Sequence, residues 1–318
     1  MPVTLPEKKE PIKLIIQIPC YNEEHSLPVV LGELPRNVPG VDVVEWLVID
    51  DGSTDKTVEI ARNHGVDHIV SHTKNLGLAS AFMTGIHASL EHNADIIVNT
   101  DADNQYKSKY IPELIKPILD NKAEFVVGAR SIDNIESFSS IKKILQKLGS
   151  WSVRIASGTD ISDAPSGFRA ITKNAAKKLN VFSKYTYTLE TIIQAGKKGI
   201  AITSVPVETN SDLRPSRLLR SIPSYIIQSI ITIIRIFVVY RPFRFFASIG
   251  FILCLIGITL LIRFFIYYFI GQGGGHVQSV IISGILIGIG FNTILIAFIA
   301  DLISVNRRLL EKIKYTIK

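Results

Sequence analysis

Asp101 and Asp103 stand two residues apart in Asn99-Thr100-Asp101-Ala102-Asp103-Asn104-Gln105, directly after the apolar run Ile96-Ile97-Val98. Such a run reads as a buried parallel strand, and open α/β sheets hold their ligands beyond the carboxyl ends of the strands. Residues i and i+2 of an extended chain project to the same side, so the two carboxylates can converge on one cation. Hard oxygen ligands without a nearby Cys or His suit Mg2+ or Mn2+, with waters and substrate phosphates completing the shell. An isolated Asp-x-Asp is more often a solvated acidic turn. The rest of the chain decides between these readings.

The elements that must position this pair alternate along the first 130 residues. Leu14 to Pro19 is a strand ending in Pro19-Cys20-Tyr21-Asn22-Glu23-Glu24, followed by a helix to about Leu34. Val43 to Ile49 is a second strand, running into Asp50-Asp51-Gly52-Ser53-Thr54-Asp55. Ser53 or Thr54 is placed to cap a helix over Lys56 to His64, which Gly65 stops. His68-Ile69-Val70 is a short strand, Asn75-Leu76-Gly77 opens a helix reaching His92, and the aspartate strand follows. Tyr110 to Leu119 reads as helix, Glu124 to Val127 as a fifth strand ending in Gly128-Ala129-Arg130, and about Ser139 to Ser157 as helix. This alternation predicts an α/β domain with a mainly parallel sheet covered on both faces.

Charge and apolar content divide the 318 residues unevenly. Hydrophobic residues make up 47%, and the excess lies beyond Pro242. The net charge of +7 is also local: residues 211–318 carry 12 Lys and Arg against 3 Asp and Glu, whereas residues 1–210 carry 23 against 25. Positive charge flanking apolar spans suits anionic lipid and argues against a nucleic-acid partner. Cys20 and Cys254 are the only cysteines, which excludes a disulfide framework or a thiolate metal site and suits a reducing compartment. Met1 to Pro11 is charged, so no cleavable signal is expected.

Phe245 to Ile262 is an 18-residue apolar run between Arg244 and Arg263, long enough to span about 27 Å as a helix. Its Ile, Leu and Phe residues together favour insertion by about 4–7 kcal/mol. Arg263 falls at the far interface beside Tyr267 and Tyr268, where it can snorkel. Gly271-Gln272-Gly273-Gly274-Gly275 turns the chain, and Ser279 to Ile299 spans back to Arg307, Arg308, Lys312 and Lys314. With the basic residues at the inner ends, residues 1–210 and the C-terminus are both expected on the cytoplasmic side. Gly284-x-x-x-Gly288 suits close helix packing, within the hairpin or between subunits of a homo-oligomer. Between Leu218 and Tyr240, Ser221, Ser224, Gln228, Thr232 and Arg235 form a polar stripe on an apolar helix, the pattern of a helix lying in the interface plane. The expected organisation is a catalytic domain over 1–210, a loop and interfacial helix over 211–241, and a transmembrane hairpin over 242–318, with spans near 245–265 and 279–300.

Pro19-x-Tyr21-Asn22-Glu23-Glu24, Val48-Ile49-Asp50-Asp51-Gly52-Ser53-x-Asp55 and Asp101-Ala102-Asp103-x-Gln105 resemble family 2 glycosyltransferases of the Rossmann-like GT-A fold. Gly128-Ala129-Arg130, Asp163-Ala164-Pro165-Ser166-Gly167-Phe168-Arg169 and the two C-terminal spans resemble its polyprenyl-phosphate branch, the dolichol-phosphate mannose synthase type. The chain departs from that pattern after Gln105, with Tyr106-Lys107-Ser108-Lys109 where relatives often carry His-Pro-Pro-Glu.

The resemblance implies a nucleotide-sugar pocket lined by Pro19, Tyr21, Glu23, Asp50 and Asp51, with Asn75, Gly77 and Ala102 beside it. It assigns Asp101, Asp103 and Gln105 to a Mg2+ or Mn2+ ion bridging the donor diphosphate, where charge builds on the leaving oxygen. Arg130 is the expected contact to the acceptor phosphate, with Arg169 and Lys143 as further lipid-phosphate candidates. Arg217, in Arg214-Pro215-Ser216-Arg217, resembles the end of a mobile loop that closes on the diphosphate. Asp163 is the family-matched carboxylate offered as a base. A phosphate monoester with a second pKa near about 6 is already ionised at pH 7, so orienting Arg169 or a sugar hydroxyl is the alternative role. Glu190 reads equally as a sugar contact or a helix-surface residue.

The expected activity is inverting transfer of a sugar from a UDP- or GDP-linked donor to undecaprenyl or dolichyl phosphate. The expected location is the cytoplasmic face of the cell membrane, or of the endoplasmic reticulum in a eukaryote. A processive glycan-synthesising transferase is the first rival, but Trp46 and Trp151 are the only tryptophans and neither sits in a Gln-x-x-Arg-Trp motif. A non-catalytic membrane adaptor is the second, and the intact Asp101, Asp103 and Arg130 argue against it.

Overall fold

The apolar runs of the first half become the inner strands of one sheet. The computed structural model of the protein describes residues 11–130, 140–181, 187–210 and 222–317. β1 (Lys13–Cys20) lies between β2 (Val43–Asp50) and β4 (Ile96–Asn99), and β1 is buried from Leu14 onward while β4 is buried throughout. β3 (His68–Ser71), β5 (Phe125–Arg130), β6 (Arg169–Thr172) and β7 (Ile202–Val207) complete seven strands in the order β3-β2-β1-β4-β6-β5-β7. Every pairing is parallel except those of β6, which runs antiparallel to β4 and β5.

Period-two alternation divides β1 between two cores. Leu14, Ile16 and Ile18 share a buried cluster with Leu27, Val30 and Leu31 of α1 (Leu27–Glu33) and Ile111, Leu114, Ile115 and Ile118 of α4 (Ile111–Leu119). On the other face, α3 (Leu78–Glu91) crosses β1 and β2, and its Gly85 lets the helix backbone approach Gln17 and Ile49. α2 (Thr57–Asn63) packs beside α1, α5 (Ser140–Ser157) packs against α7 (Thr188–Lys197), and α6 (Lys173–Lys178) follows β6.

Several expectations are revised. β5 runs three residues beyond Val127, so Arg130 is the last residue of a strand, paired with Val207. β6 and β7 carry weak sequence signals: β6 is four residues that begin at Arg169 and run into Lys173, and β7 is an edge strand that tolerates Pro206. Neither Ser53 nor Thr54 caps α2. The N-cap is Lys56, which makes no side-chain cap bond, and Asp55, one residue earlier, accepts the Thr57 N–H on its Oδ1 at 3.0 Å.

The chain divides into two compact units, with the division at Ile226 inside α8 (Ile222–Tyr240). In the second unit, α9 (Pro242–Phe269) and α10 (Val277–Ile317) form a hairpin. Among the described residues, Pro242–Phe269 and Gly274–Asn306 are long and apolar enough to cross a membrane, whereas α8 contributes only the shorter apolar section Ile230–Tyr240. α10 does not stop near residue 300: the helix continues through the basic segment to Ile317. The hairpin closes through Gly250, Gly257 and Gly290, where an added Cβ would meet the opposing helix at 2.7, 2.8 and 2.6 Å. Gly284 and Gly288 have no such neighbour within 4 Å, so they are not the residues that let these two helices approach.

Candidate active site

Loops at the carboxyl ends of β1 and β2 are stitched together before any ligand enters. Asn22 takes a left-handed conformation (φ 55°), which Asn tolerates better than most residues. Its N–H donates to Ser53 Oγ at 2.9 Å, and its Oδ1 accepts the Thr54 N–H at 2.8 Å. The Glu23 N–H donates to Thr57 Oγ1 at 2.8 Å, while the buried Glu23 carboxylate accepts the Ser26 hydroxyl. Pro19 is buried within β1, and Tyr21 stands at the surface. Asp50, also buried, accepts the Ser53 N–H at 2.9 Å.

Asp51 binds the neighbouring loop. Its Oδ1 accepts the Leu76 N–H at 2.8 Å and faces His72 Nδ1 at 2.7 Å, while Oδ2 accepts the Gly77 N–H at 2.8 Å. The other ring nitrogen of His72 bonds Thr84 Oγ1 of α3 at 2.9 Å, so one imidazole ties the loop to both β2 and α3. Gly52 (φ 75°) is required here, because a Cβ would lie 2.6 Å from the Lys74 carbonyl carbon. Asn75 is exposed on this loop, and the Gly77 N–H is already engaged by Asp51. His72 escaped the sequence reading because its role depends on a partner 21 residues away.

The aspartate pair has few donors of its own. Among the described residues, no hydrogen bond reaches the Asp101 carboxylate, and Asp103 Oδ1 accepts only the Gln105 N–H at 3.0 Å. Burial and the negative charge of Asp103 push Asp101 up to about 7, against the pull of Arg130 and Arg169. Two close carboxylates without matching donors are the electrostatic environment a divalent cation satisfies. Asp101 and Asp103 therefore fit Mg2+ or Mn2+ as ligands, each keeping oxygen lone pairs open. Gln105 fits less directly, since its Oε1 accepts from Arg130 Nη1 at 3.2 Å. Gly167 packs against this pair so closely that a Cβ would fall 2.6 Å from Asp101 Oδ2.

Arg130 and Asp163 form a buried bidentate pair. Arg130 Nε donates to Asp163 Oδ2 at 2.7 Å and Nη2 to Oδ1 at 3.0 Å, and the Arg130 backbone N–H adds a third bond to Oδ2 at 3.0 Å. Burial opposes the cation, but Tyr106, Asp163 and Asp101 together raise its pKa above the ordinary arginine value. Asp163 thus orients Arg130, not Arg169. A guanidinium has five N–H donors, and three of them are used by partners among the described residues, which leaves two without one there.

Arg169 departs most from expectation. It is wholly buried, donating to the carbonyls of Ser166 and Ala164 at 2.8 and 2.9 Å and to the Thr191 hydroxyl. Burial lowers it to about 10. It braces the Asp163–Phe168 turn from inside, out of reach of a lipid phosphate. Lys143 lies half-buried on α5, Glu190 is buried on α7 within 3.5 Å of Gln194 Nε2, and Arg217 falls outside the described residues.

A buried polar frame sets the spacing of these parts. Asn99 Nδ2 donates to the Gly167 carbonyl at 2.8 Å and to the Tyr187 hydroxyl at 3.0 Å, and its Oδ1 accepts from Gln17 Nε2 at 2.8 Å. Tyr106, where the chain departs from the family pattern, is buried: its hydroxyl accepts the Gly167 N–H at 2.9 Å and its ring stacks on Phe168. The sequence marks Asn99 and Tyr106 only by adjacency to the aspartates.

Residues 15–183 match the family model described as Glycosyl transferase family 2. The chain belongs to this family. The enzyme is therefore a glycosyltransferase with a GT-A sheet followed by two apolar helices. It is 29% identical over 206 residues to the undecaprenyl-phosphate mannosyltransferase of Micrococcus luteus, covering 62% of this chain and 83% of that one. It is 31% identical over 214 residues to the UDP-N-acetylglucosamine–dolichyl-phosphate N-acetylglucosaminyltransferase of Methanococcus voltae, covering 60% and 83%. In fold it resembles the glucosyl-3-phosphoglycerate synthase of Mycobacterium tuberculosis, solved with Mn2+, UDP and glucosyl-3-phosphoglycerate. That match has a TM-score of 0.56 and 20% identity over 70% of this chain and 80% of the other.

Proposed function

We propose that the enzyme transfers one sugar, with inversion, from a UDP- or GDP-linked donor to a polyprenyl phosphate. The observation that carries this reading is Arg130, held by Asp163 with two N–H groups unengaged among the described residues, next to an under-coordinated carboxylate pair at the sheet's carboxyl edge. A phosphate acceptor is an anion at neutral pH, so it needs a fixed cation more than a base. Two membrane-length helices and relatives named for undecaprenyl and dolichyl phosphate support a lipid as the carrier of that phosphate.

In this reading the loops beyond β1 and β2, with Tyr21, Glu23, Asp50 and Asn75, hold the nucleoside. Asp51 shapes that pocket through the 72–77 loop. Asp101 and Asp103 hold Mg2+ or Mn2+, which when bound stabilises negative charge on the departing diphosphate. Arg130 directs a phosphate oxygen at the anomeric carbon, on the side opposite the leaving group. One bond forms from that oxygen as the bond to the diphosphate breaks. Asp163 positions Arg130 and takes no proton. Incubating membranes with labelled nucleotide sugars and a short polyprenyl phosphate tests the reading: one donor should give a phosphate-linked monosaccharide lipid, and a product lengthening by repeated addition would favour a processive transferase.

The catalytic unit is proposed to face the cytoplasm, because basic residues flank the inner ends of both spans and none lies in residues 271–275. In Gly273→Cys the thiol should react with an impermeant reagent from outside intact cells, and labelling only after lysis would reverse the orientation.

A further inference from the structure

Tyr106 is a large polar residue buried between the two sides of the site, and the reaction proposed above makes no use of it. A phenol in a core needs a partner for its hydroxyl. Here the partner is the Gly167 N–H, at 2.9 Å, with Ser166 Oγ farther off at 3.5 Å. Gly167 is held at its other end by Asn99 Nδ2, which donates to its carbonyl at 2.8 Å. Between those two bonds it lies against Asp101, so close that a Cβ would meet Oδ2. The ring makes a different set of contacts. It stacks on Phe168, with centroids 5.2 Å apart and planes 13° from parallel, and Arg130 Cζ stands 5.7 Å from its centre. The backbone around Tyr106 is fixed as well. Tyr106 bridges Thr209 beyond β7, and Asn210 donates its N–H to the Gln105 carbonyl at 2.9 Å and its Nδ2 to the Asn104 carbonyl at 3.0 Å.

We propose that Tyr106 is the positioning residue that sets the metal carboxylates against the acceptor arginine, its hydroxyl serving Asp101 and its ring serving Arg130. The proposal rests on the reading of those two groups given above and adds what holds them in register. Asp163 fixes one edge of the Arg130 guanidinium and Gln105 one end. Bonds in the guanidinium plane leave that plane free to tilt about them, and an aromatic face beside it resists the tilt. The two N–H groups that no described residue engages then keep one direction. The hydroxyl acts one step further off. A buried N–H that loses its acceptor turns to another within reach. For Gly167 the neighbour is the Asp101 carboxylate, whose lone pairs the cation needs. By taking the Gly167 N–H, Tyr106 leaves Asp101 open to the cation. A residue that only filled the core would need no more than the ring, and Phe preserves both its volume and its stack on Phe168. The hydroxyl and the cation beside the ring are the features that packing does not call for, and they can be deleted one at a time.

The test uses the full chain in detergent with two probes that need no turnover. Mn2+ alone is followed by the electron paramagnetic resonance of the free ion, and citronellyl phosphate, a short isoprenyl phosphate, by calorimetry. Tyr106→Phe removes only the hydroxyl. It should weaken Mn2+ binding roughly tenfold, as expected for stranding one buried donor, and leave the citronellyl phosphate Kd within about twofold of wild type. Tyr106→Leu removes the ring as well and should weaken citronellyl phosphate by a further 3- to 10-fold or so, roughly the range of a cation–π contact. Should its unfolding midpoint show that Tyr106→Leu folds poorly, Tyr106→Met, closer to tyrosine in volume, takes its place. Unchanged Mn2+ affinity in Tyr106→Phe overturns the proposal. So does equal weakening of both probes in that variant, the mark of a residue that merely supports the fold. Undiminished citronellyl phosphate binding once the ring is gone overturns the assignment of the ring to Arg130. Wild-type protein that bound Mn2+ but no citronellyl phosphate would remove the proposed acceptor, while the Mn2+ affinity of Tyr106→Phe still decides the role of the hydroxyl.

Discussion

Two sets of aspartates stand at the same edge of the sheet and are treated oppositely by the protein. Asp51 accepts two backbone N–H groups and faces an imidazole, and Asp163 accepts three N–H donors from Arg130. Asp101 and Asp103 have one such bond between them among the described residues. Carboxylates saturated by protein donors serve the fold, since their partners would be orphaned without them. Carboxylates left with open lone pairs and a mutual repulsion are held ready for something that arrives from outside. The difference separates architecture from chemistry where the sequence shows only four similar acids.

The largest effect that could break this division is on stability. Asp163→Asn breaks a buried ion pair, which costs about 3–5 kcal/mol when one partner is removed. Asp101→Asn relieves like-charge repulsion and should leave the metal-free protein as stable as wild type or more so. Thermal unfolding of both variants in detergent with chelator checks this. Equal destabilisation would make Asp101 a structural residue.

Activity should show the reverse order. Asp103→Asn should lower turnover by about 100-fold or more, because in the proposed reaction several kcal/mol of charge stabilisation on the departing diphosphate would depend on the cation this pair holds. Chelator should reproduce the loss in wild type, with Mg2+ or Mn2+ restoring it. Full turnover in chelator would end the assignment of this pair to a metal.

Arg130 sharpens the comparison, because it joins the two sets through Asp163 and Gln105. Arg130→Lys keeps the charge that Asp163 needs but loses the planar fork. Charge-assisted bonds of this kind contribute about 1.5–3 kcal/mol, so kcat/KM for the lipid acceptor should fall roughly 10- to 150-fold while nucleoside diphosphate affinity holds. A defect in diphosphate binding alone would move Arg130 to the donor side.

How much of this was legible depended on how local each cause is. The strand of Ile96 to Asn99 and its aspartates could be read because burial and the carboxyl-end position follow from a few adjacent residues. The family resemblance carried the GT-A fold further than periodicity could, while β6 was hidden by its length of four residues. Side-chain partners were not legible. Arg169 and Arg130 look alike in sequence, yet one braces a turn inside the core and the other reaches the site, and the difference lies in contacts with Thr191 and Asp163, 22 and 33 residues away. Tyr106 and His72 were missed for the same reason. Gly284 and Gly288 form a recognisable pattern, but the hairpin closes through Gly250, Gly257 and Gly290, a choice set by the facing helix.

The smallest expected effect is a slope in pH, and it tests the open pair without disturbing the fold. Asp101 is raised from the usual 3.8 to about 7, by burial and then by Asp103. A folded-state pKa above the unfolded one contributes stability that is complete below about 3.8 and is lost as pH rises through about 7. In metal-free protein this group should therefore lower stability across that window. A divalent cation needs the carboxylate ionised, so it competes with the proton, and its affinity should fall by roughly tenfold for each pH unit below 7. Above pH 7 the dependence should flatten, and the thermal shift produced by Mg2+ or Mn2+ should be larger at pH 8 than at pH 6. In Asp101→Asn binding weakens and the slope disappears with the titrating group. A slope that survived in that variant would assign the proton to another carboxylate, and a flat profile in wild type would mean that Asp101 is already ionised in the metal-free protein.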